Sequence, residues 1–469
     1  MLSPALDCYS PLPAASPDAF DFAALRRREF ARLDAQGHCY LDYTGSALYG
    51  ISQLQTHLCL LESGLFGNPH SESKPSQAST RVIEQAREAV LRFLDVDAST
   101  HVVCFTANSS AAVKLVAESY PFDSGRHLLL SADNHNSVNG IREYARAAGS
   151  TVRTLPLDAS LELHEPEQVL RDAATSGTGL LAFPAQSNFS GVRHPLTLVR
   201  QAQALGFDVL LDCAAFASSH PLSLRECPTD FAVLSFYKLF GYPTGIGALV
   251  MRRESMRRLR RPWFAGGTVR YASVLADTHR LHEGATGFED GTPDFLGIAA
   301  LASGFDLLNQ VGMARLQQHV AALTAELFAR LGSLRHADGA PMIRLYGPAR
   351  LCARGGTLAF NVFDSRGQLL PCAQVESAAD AAGISVRAGC FCNPGASEAA
   401  FGAEPGRLIH CLRELDDAFT ASRLSACTGT EAGAVRASVG LANNSADLGK
   451  LVEFLSVLGT AGKRQTILA

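Results

Sequence analysis

The sequence predicts an α/β protein built on a mostly parallel, doubly wound sheet of about seven strands, with a smaller α+β unit beside it. Two observations carry this reading. From about Tyr40 to Arg253, short apolar runs bounded by turn residues alternate with amphipathic stretches at helical spacing. That is the pattern of strands buried on both faces and joined by crossover helices. Beyond Gly304 the pattern changes to a long helix and then to sparse short strands, which implies a second unit. The expected division is a large domain over residues 41–300 and a small domain assembled from residues 1–40 and 301–469.

Taken in order, His101 to Phe105, His127 to Ser131, Gly179 to Phe183, Phe207 to Leu211, Phe231 to Ser235 and Ile246 to Met251 read as buried strands. From Gly304 to Leu334, Leu307, Val311, Leu316, Val320, Leu323, Leu327 and Leu331 recur near helical spacing and predict one long helix. Thr357 to Phe363 and Val435 to Ser438 are strand candidates, and Asn444 to Leu458 is a closing helix. No internal repeat or low-complexity segment interrupts the chain.

Composition narrows the function. At 469 residues, 47% hydrophobic and 18% charged, the chain can bury a sizeable core. A formal net charge of -4 gives no overall attraction to nucleic acid or anionic lipid, so small-molecule chemistry is favoured. Met1 to Pro17 lack a basic stretch followed by an apolar one, and no later run reaches membrane-spanning length. The expected location is cytoplasmic, with neither nucleic acid nor membrane as partner. The twelve cysteines, Cys8, Cys39, Cys59, Cys104, Cys213 and onward, are scattered without a dense framework. They read mostly as buried thiols of a reducing compartment.

The candidate chemistry follows the predicted strands, where open α/β sheets place their ligands. Phe105-Thr106-Ala107-Asn108-Ser109-Ser110 ends a strand and opens a helix, so backbone N–H groups with the Ser109 and Ser110 hydroxyls can hold a phosphate; plain helix capping is the competing explanation. Asp212 ends an apolar strand and can pair with a protonated pyridine nitrogen, or merely cap a turn. Lys238, in Ser235-Phe236-Tyr237-Lys238-Leu239-Phe240-Gly241, is a lysine in an apolar stretch. Desolvation there frees an amine for Schiff-base chemistry and proton transfer. His135, in Asp133-Asn134-His135-Asn136-Ser137, can stack on a cofactor ring or move a proton. Asn188, before Gly191, can hydrogen-bond a cofactor oxygen or a substrate carboxylate. Arg436 suits bidentate capture of an α-carboxylate, with an ordinary surface arginine as the alternative. Late in the chain, Arg387-Ala388-Gly389-Cys390-Phe391-Cys392-Asn393-Pro394 presents two thiols between Gly389 and the Pro394-Gly395 pair, a candidate nucleophile carrier. A fragment of a metal site is the weaker reading, since no second Cys or His pair accompanies it, and no metal is expected.

This ordered set resembles the class V aminotransferase-type, fold-type I enzymes that use pyridoxal 5'-phosphate (PLP), specifically the cysteine desulfurases, and the likeness spans nearly the whole chain. Tyr40-Leu41-Asp42, Phe66-Gly67-Asn68-Pro69-His70-Ser71, Ser235-Phe236-Tyr237-Lys238, Phe288-Glu289-Asp290-Gly291-Thr292 and Gly389-Cys390-Phe391-Cys392-Asn393 are similar to the N-terminal sulfurase domain of molybdenum cofactor sulfurases. The resemblance implies Lys238 as the Schiff-base lysine, Asp212 as the pyridine-nitrogen partner and His135 as the ring-stacking residue. It implies Ser109, Ser110 and Ser235 around the phosphate, Asn188 against cofactor or substrate, and Arg436 on the substrate carboxylate. Thr292 would reach the phosphate of a neighbouring subunit, which implies a homodimer. Cys392 aligns best with the persulfide-forming cysteine, with Cys390 the second choice.

Where the usual desulfurases carry a glutamine and a histidine, this chain has Ala215 and Tyr237, a departure that points to the sulfurase-like subgroup. The chain ends at Ala469, short of the large C-terminal domain of the eukaryotic sulfurases. The acceptor therefore stays open between another protein, a molybdenum cofactor and a small metabolite. The implied activity is conversion of L-cysteine to L-alanine with sulfur left as a Cys392 persulfide. The alternatives are a PLP-dependent C–S lyase, epimerase or aminotransferase that ignores the loop cysteines, or a non-catalytic scaffold.

Overall fold

A computed structural model describes residues 20–460; Cys8 and the Met1 to Pro17 stretch lie outside the described residues. The large sheet has seven strands, named here in chain order: β1 His101–Thr106, β2 His127–Ser131, β3 Thr151–Leu155, β4 Gly179–Pro184, β5 Asp208–Asp212, β6 Phe231–Ser235 and β7 Gly247–Arg252. Their spatial order is β1-β7-β6-β5-β4-β2-β3. β7 is antiparallel to both neighbours and every other pairing is parallel, so six of the seven strands end at the same edge.

Alternation along these strands explains why each reads as a continuous apolar run. Val103, Phe105, Leu129, Leu181, Phe183, Leu211, Leu234 and Val250 belong to one buried cluster. Val102, Cys104, Leu128, Leu130, Leu180, Ala182, Leu210, Val233 and Met251 belong to a second one on the opposite face. The helix Ser109–Ser119 covers the second face through Ala112, Val113, Leu115 and Val116. The first cluster continues through the helix Leu301–Val311 into a small antiparallel sheet of β8 Ile343–Leu345, β9 Thr357–Val362, β10 Arg387–Gly389 and β11 Ala434–Ser438, ordered β8-β9-β11-β10. Cys39–Tyr40 pairs with Ile384–Ser385, and Asp42 bridges to Ser438, which ties the start of the described chain to this small sheet.

Three expectations need correction. β3 was not foreseen: it is an edge strand in which only Leu155 is buried, so it lacks the apolar run that marks the others. The single helix expected over Gly304 to Leu334 is two, Leu301–Val311 and Met313–Ser333. They meet at Gly312, which adopts φ 82° and ψ 127°, backbone that only glycine enters freely. Finally, the cysteines are not all thiols: Cys411 and Cys427 form a disulfide, and Cys59, Cys352 and Cys392 are exposed.

Gly312→Ala should lower the free energy of unfolding by about 1–3 kcal/mol in denaturant titration. An unchanged midpoint would show that the helix break is not imposed by that backbone conformation.

Candidate active site

Strand ends deliver the site. β5 finishes at Asp212, and β6 finishes at Ser235 and runs straight into the short helix Phe236–Phe240 that carries Lys238. His135 follows β2, Asn188 follows β4, and Ser109 opens the helix after β1. They meet around a cavity of about 380 Å³ whose lining includes Ser109, Ser110, His135, Asn188, Asp212 and Lys238. Six of the residues singled out from sequence are thus brought together. Ser235, Thr292, Arg436, Cys390 and Cys392 are not in that lining. Thr292 borders an adjoining cavity of about 370 Å³, where Asn68 Nδ2 donates to its hydroxyl at 3.3 Å.

The cavity is chemically two-ended. At one end Asn108 Oδ1 accepts from Ala111 N at 2.9 Å and caps the helix Ser109–Ser119, leaving the first-turn N–H groups of an eleven-residue helix for an anion. A Cβ on Gly247 would fall 2.5 Å from the Asn108 carbonyl carbon and 2.7 Å from Ser109 N, so only glycine lets this turn lie on β7. Ser235 is buried and its Oγ has no hydrogen-bond partner among the described residues. A buried hydroxyl without a partner is costly, and a bound group with an acceptor atom would offset that cost.

At the other end, burial holds the Lys238 amine below the ordinary lysine range; Asp212 opposes the shift and Arg436 and Arg387 add to it. Burial likewise lowers His135, again with Lys238 pushing down and Asp212 pushing up. His135 Nδ1 accepts from Ser137 N at 3.1 Å, which places the proton of the neutral ring on Nε2. Asp212 Oδ1 accepts from Ala214 N at 3.0 Å. A phosphate cradle, a desolvated lysine amine, an imidazole and a carboxylate at successive strand ends fit PLP.

The cysteine loop leaves β10 and lies against the rim of this cavity. Phe391 and Cys392 both adopt φ 56°, left-handed backbone that non-glycine residues hold only when their surroundings impose it. The imposing contacts are visible. Asn188 Nδ2 donates to Phe391 O at 2.7 Å, and Asn136 N donates to Cys392 O at 2.7 Å. Asn393 Nδ2 donates to Asp133 O at 2.6 Å and to Asn188 Oδ1 at 2.9 Å, while its Oδ1 caps the helix Pro394–Phe401. Buried Phe391 packs on Phe189 with ring centroids 5.3 Å apart, and this leaves Cys392 exposed and Cys390 half-buried. The Asn188 amide, expected to face cofactor or substrate, is therefore committed to the loop, although the residue lines the cavity. Asn136 and Asn393 were missed as functional residues; the density of asparagine around His135 and Cys392 was the available signal.

Arg436, on β11, is buried. Its Nη2 donates to Asp42 Oδ1 at 2.8 Å, its Nη1 donates to Asn188 O at 3.0 Å, and its guanidinium lies 4.7 Å from the Phe391 ring centroid. Among the described residues its Nε has no acceptor, so this arginine retains an unspent donor inside the protein.

The fold and site define a class. A family model described as aminotransferase class-V matches residues 39–451, and the chain belongs to that family. It is 34% identical to molybdenum cofactor sulfurase of Arabidopsis thaliana, over 92% of this chain and 57% of that one. It is 36% identical to molybdenum cofactor sulfurase of Homo sapiens, over 80% of this chain and 44% of that one. The chain thus spans about half the length of these curated relatives. Among solved structures, a cysteine desulfurase from Thermococcus onnurineus NA1 superposes with a TM-score of 0.76 at 23% identity, covering 93% of this chain and 98% of that one. The cysteine desulfurase CsdA from Escherichia coli gives 0.74 at 22% identity, covering 94% and 100%. The fold is therefore fold-type I, as the sequence predicted.

Two measurements probe the site. Between the depressed Lys238 value and the ordinary 10.5, the unfolded chain binds a proton that the folded chain does not, so Lys238 makes stability rise with pH across that window. Chemical denaturation of the cofactor-free protein should show this rise, and Lys238→Met should lack it. Asn393→Ala removes a cap and two hydrogen bonds and should cost about 2–3 kcal/mol, with faster hydrogen exchange through residues 387–393. Unchanged exchange would mean that the loop is held by other contacts.

Proposed function

We propose that this protein is a PLP-dependent cysteine desulfurase of the sulfurase-like kind, which turns L-cysteine into L-alanine and leaves sulfur on Cys392 for transfer to an acceptor. The observation that carries the reading is the attachment of the cysteine loop to the cavity wall. Asn188 lines the cavity and donates to Phe391 O, and the residue after His135 donates to Cys392 O. The thiol is thereby anchored at the rim of a site built around a desolvated lysine. Similarity to molybdenum cofactor sulfurases supports the sulfurase-like part of this reading.

Ser109, Ser110 and Ser235 would hold the phosphate, Asp212 the pyridine nitrogen, His135 the ring face and Lys238 the aldehyde carbon. When bound, the cofactor supplies an electron sink for the substrate's α-carbon. Arg436 holds the substrate carboxylate through its unspent donors. Lys238, biased towards the free amine by burial, accepts the α-proton and can return it. Cys392, as thiolate, attacks the substrate sulfur. A sulfur–sulfur bond forms as the carbon–sulfur bond breaks, the bonding electrons pass to the substrate carbon, and protonation of that carbon yields alanine. L-Cysteine and the Cys392 thiol thus become L-alanine and a Cys392 persulfide, with no external oxidant. The acceptor, whether a protein, a molybdenum cofactor or a small metabolite, then takes the outer sulfur, in the cytoplasm on this reading.

The reading includes a homodimer in which Thr292 serves the phosphate site of the other copy. Two features support it: Thr292 lies outside the Lys238 cavity of its own chain, and the nearby hairpin of Val269–Ser273 and Thr278–Leu281 exposes Val274 and Leu275 completely at its tip. Apolar side chains so placed call for a covering surface. Val274→Asp with Leu275→Asp should shift light-scattering mass from dimer to monomer; a monomeric parent protein would sink this part of the reading.

For the activity, alanine released from L-cysteine should fall at least about 100-fold in Cys392→Ala, which removes the attacking nucleophile, and much less in Cys390→Ala. Undiminished alanine formation by Cys392→Ala would overturn the Cys392 assignment, whereas a parent protein that makes no alanine from L-cysteine would point to a C–S lyase or aminotransferase that ignores the loop.

A further inference from the structure

Two guanidinium groups share one carboxylate where the cysteine loop leaves its sheet. Arg387 and Arg436 are directly opposed on β10 and β11, a pairing of like charges that is unfavourable unless something stands between them. Asp42 does so. Its Oδ1 accepts from Arg436 Nη2 at 2.8 Å, and its Oδ2 accepts from Arg387 Nε at 3.0 Å and Nη2 at 2.6 Å. The exposures are unequal and decide what each group can do: the Arg387 side chain is 50% exposed, Asp42 9% and Arg436 3%. The buried guanidinium and carboxylate are fixed, while the outer one can be removed without opening the core.

The charge count matters for a site that must capture an anion. Arg436 with Asp42 alone is neutral, and a carboxylate tethered beside a guanidinium outcompetes one arriving from solution, because its effective concentration is far higher. Arg387 changes that balance by engaging Oδ2, so the cluster carries one net positive charge and Arg436 Nε stays without an acceptor.

We propose that Arg387 is a positioning residue for substrate capture: by engaging Asp42 it stops that carboxylate from neutralising Arg436, and so reserves one positive charge for the α-carboxylate of an amino acid. This rests on the reading of Arg436 as the substrate arginine. Arg387 is also the first residue of the strand that leads into the cysteine loop, three residues before Cys390 in the chain, so carboxylate capture and thiol placement share one strand. Asp42 then acts as an internal competitor that Arg387 restrains.

The test compares the PLP-loaded wild-type protein with Arg387→Met and with Arg387→Met combined with Asp42→Asn, the latter restoring the net charge of +1. Steady-state constants for L-cysteine are measured beside calorimetric affinities for L-alanine and L-alaninamide, the second lacking the carboxylate. Arg387→Met should raise the KM for cysteine and the Kd for alanine about tenfold, roughly 1.4 kcal/mol, with kcat within about twofold and alaninamide affinity unmoved. Adding Asp42→Asn should return both constants to within about threefold of wild type. Equal constants in wild type and Arg387→Met, or a double variant weaker than the single one, would overturn the proposal. A wild-type protein that makes no alanine from cysteine would instead refute the parent reading, while the two calorimetric series would still decide the charge argument.

Discussion

Everything at the site depends on the direction of the strands. Because β1 and β2 to β6 all finish at one edge, the turns that follow them are forced to one side, and all but that of β3 contribute to the site: helix N–H groups and serines after β1, His135 after β2, Asn188 after β4, Asp212 at the end of β5 and Lys238 after β6. A strand buried on both faces supplies rigidity, and the irregular backbone just beyond it supplies reach. β7, running the other way, places Gly247 beneath the Asn108–Ser109 turn, where a larger residue would block the phosphate cradle. Topology thus fixes the composition of the cavity before any side-chain contact is considered.

A second layer of order joins this cavity to the small sheet. Asn188 is the hinge point of that layer, since its side chain bonds Phe391 and Asn393 while its carbonyl receives Arg436. The loop bearing Cys392 is consequently bonded to the cavity wall and is not a free appendage. Its two left-handed residues are held by hydrogen bonds from the segments that follow β2 and β4 of the large sheet, and strain maintained in this way is characteristic of positions that serve chemistry. The buried Asp133–His194 pair, at 2.8 Å, stiffens the segment beneath the loop; burial raises the Asp133 carboxyl and the His194 partner outweighs it, so the group sits below the ordinary range.

Much of this was legible from the sequence, for identifiable reasons. Strands buried on both faces leave continuous apolar runs, so β1, β2, β4, β5, β6 and β7 stand out, and the functional residues sit one turn beyond them. β3 left no such trace because one of its edges meets solvent, and the antiparallel sense of β7 is invisible because an apolar run looks alike in either direction. The break at Gly312 was hidden by leucines that keep helical spacing across it. Contacts between distant positions were the least accessible. Asp42 and Arg436 are 394 residues apart, and nothing in either local pattern announces that they meet. The Cys411–Cys427 bond was likewise lost among scattered cysteines. Lys238, Asp212 and the cysteine loop were recognisable because lysine in an apolar stretch and paired thiols in a Gly- and Pro-bounded turn have few inexpensive structural explanations.

The central claim is that sulfur from cysteine comes to rest on the exposed thiol at the cavity rim. Peptide mapping by mass spectrometry after brief exposure of the PLP-loaded protein to L-cysteine tests it most directly. The account predicts one added sulfur on the peptide containing residues 387–393, localised to Cys392, in amounts matching the alanine released in the first turnover. Alanine formed with that peptide unmodified, or with sulfur confined to Cys390, would contradict it.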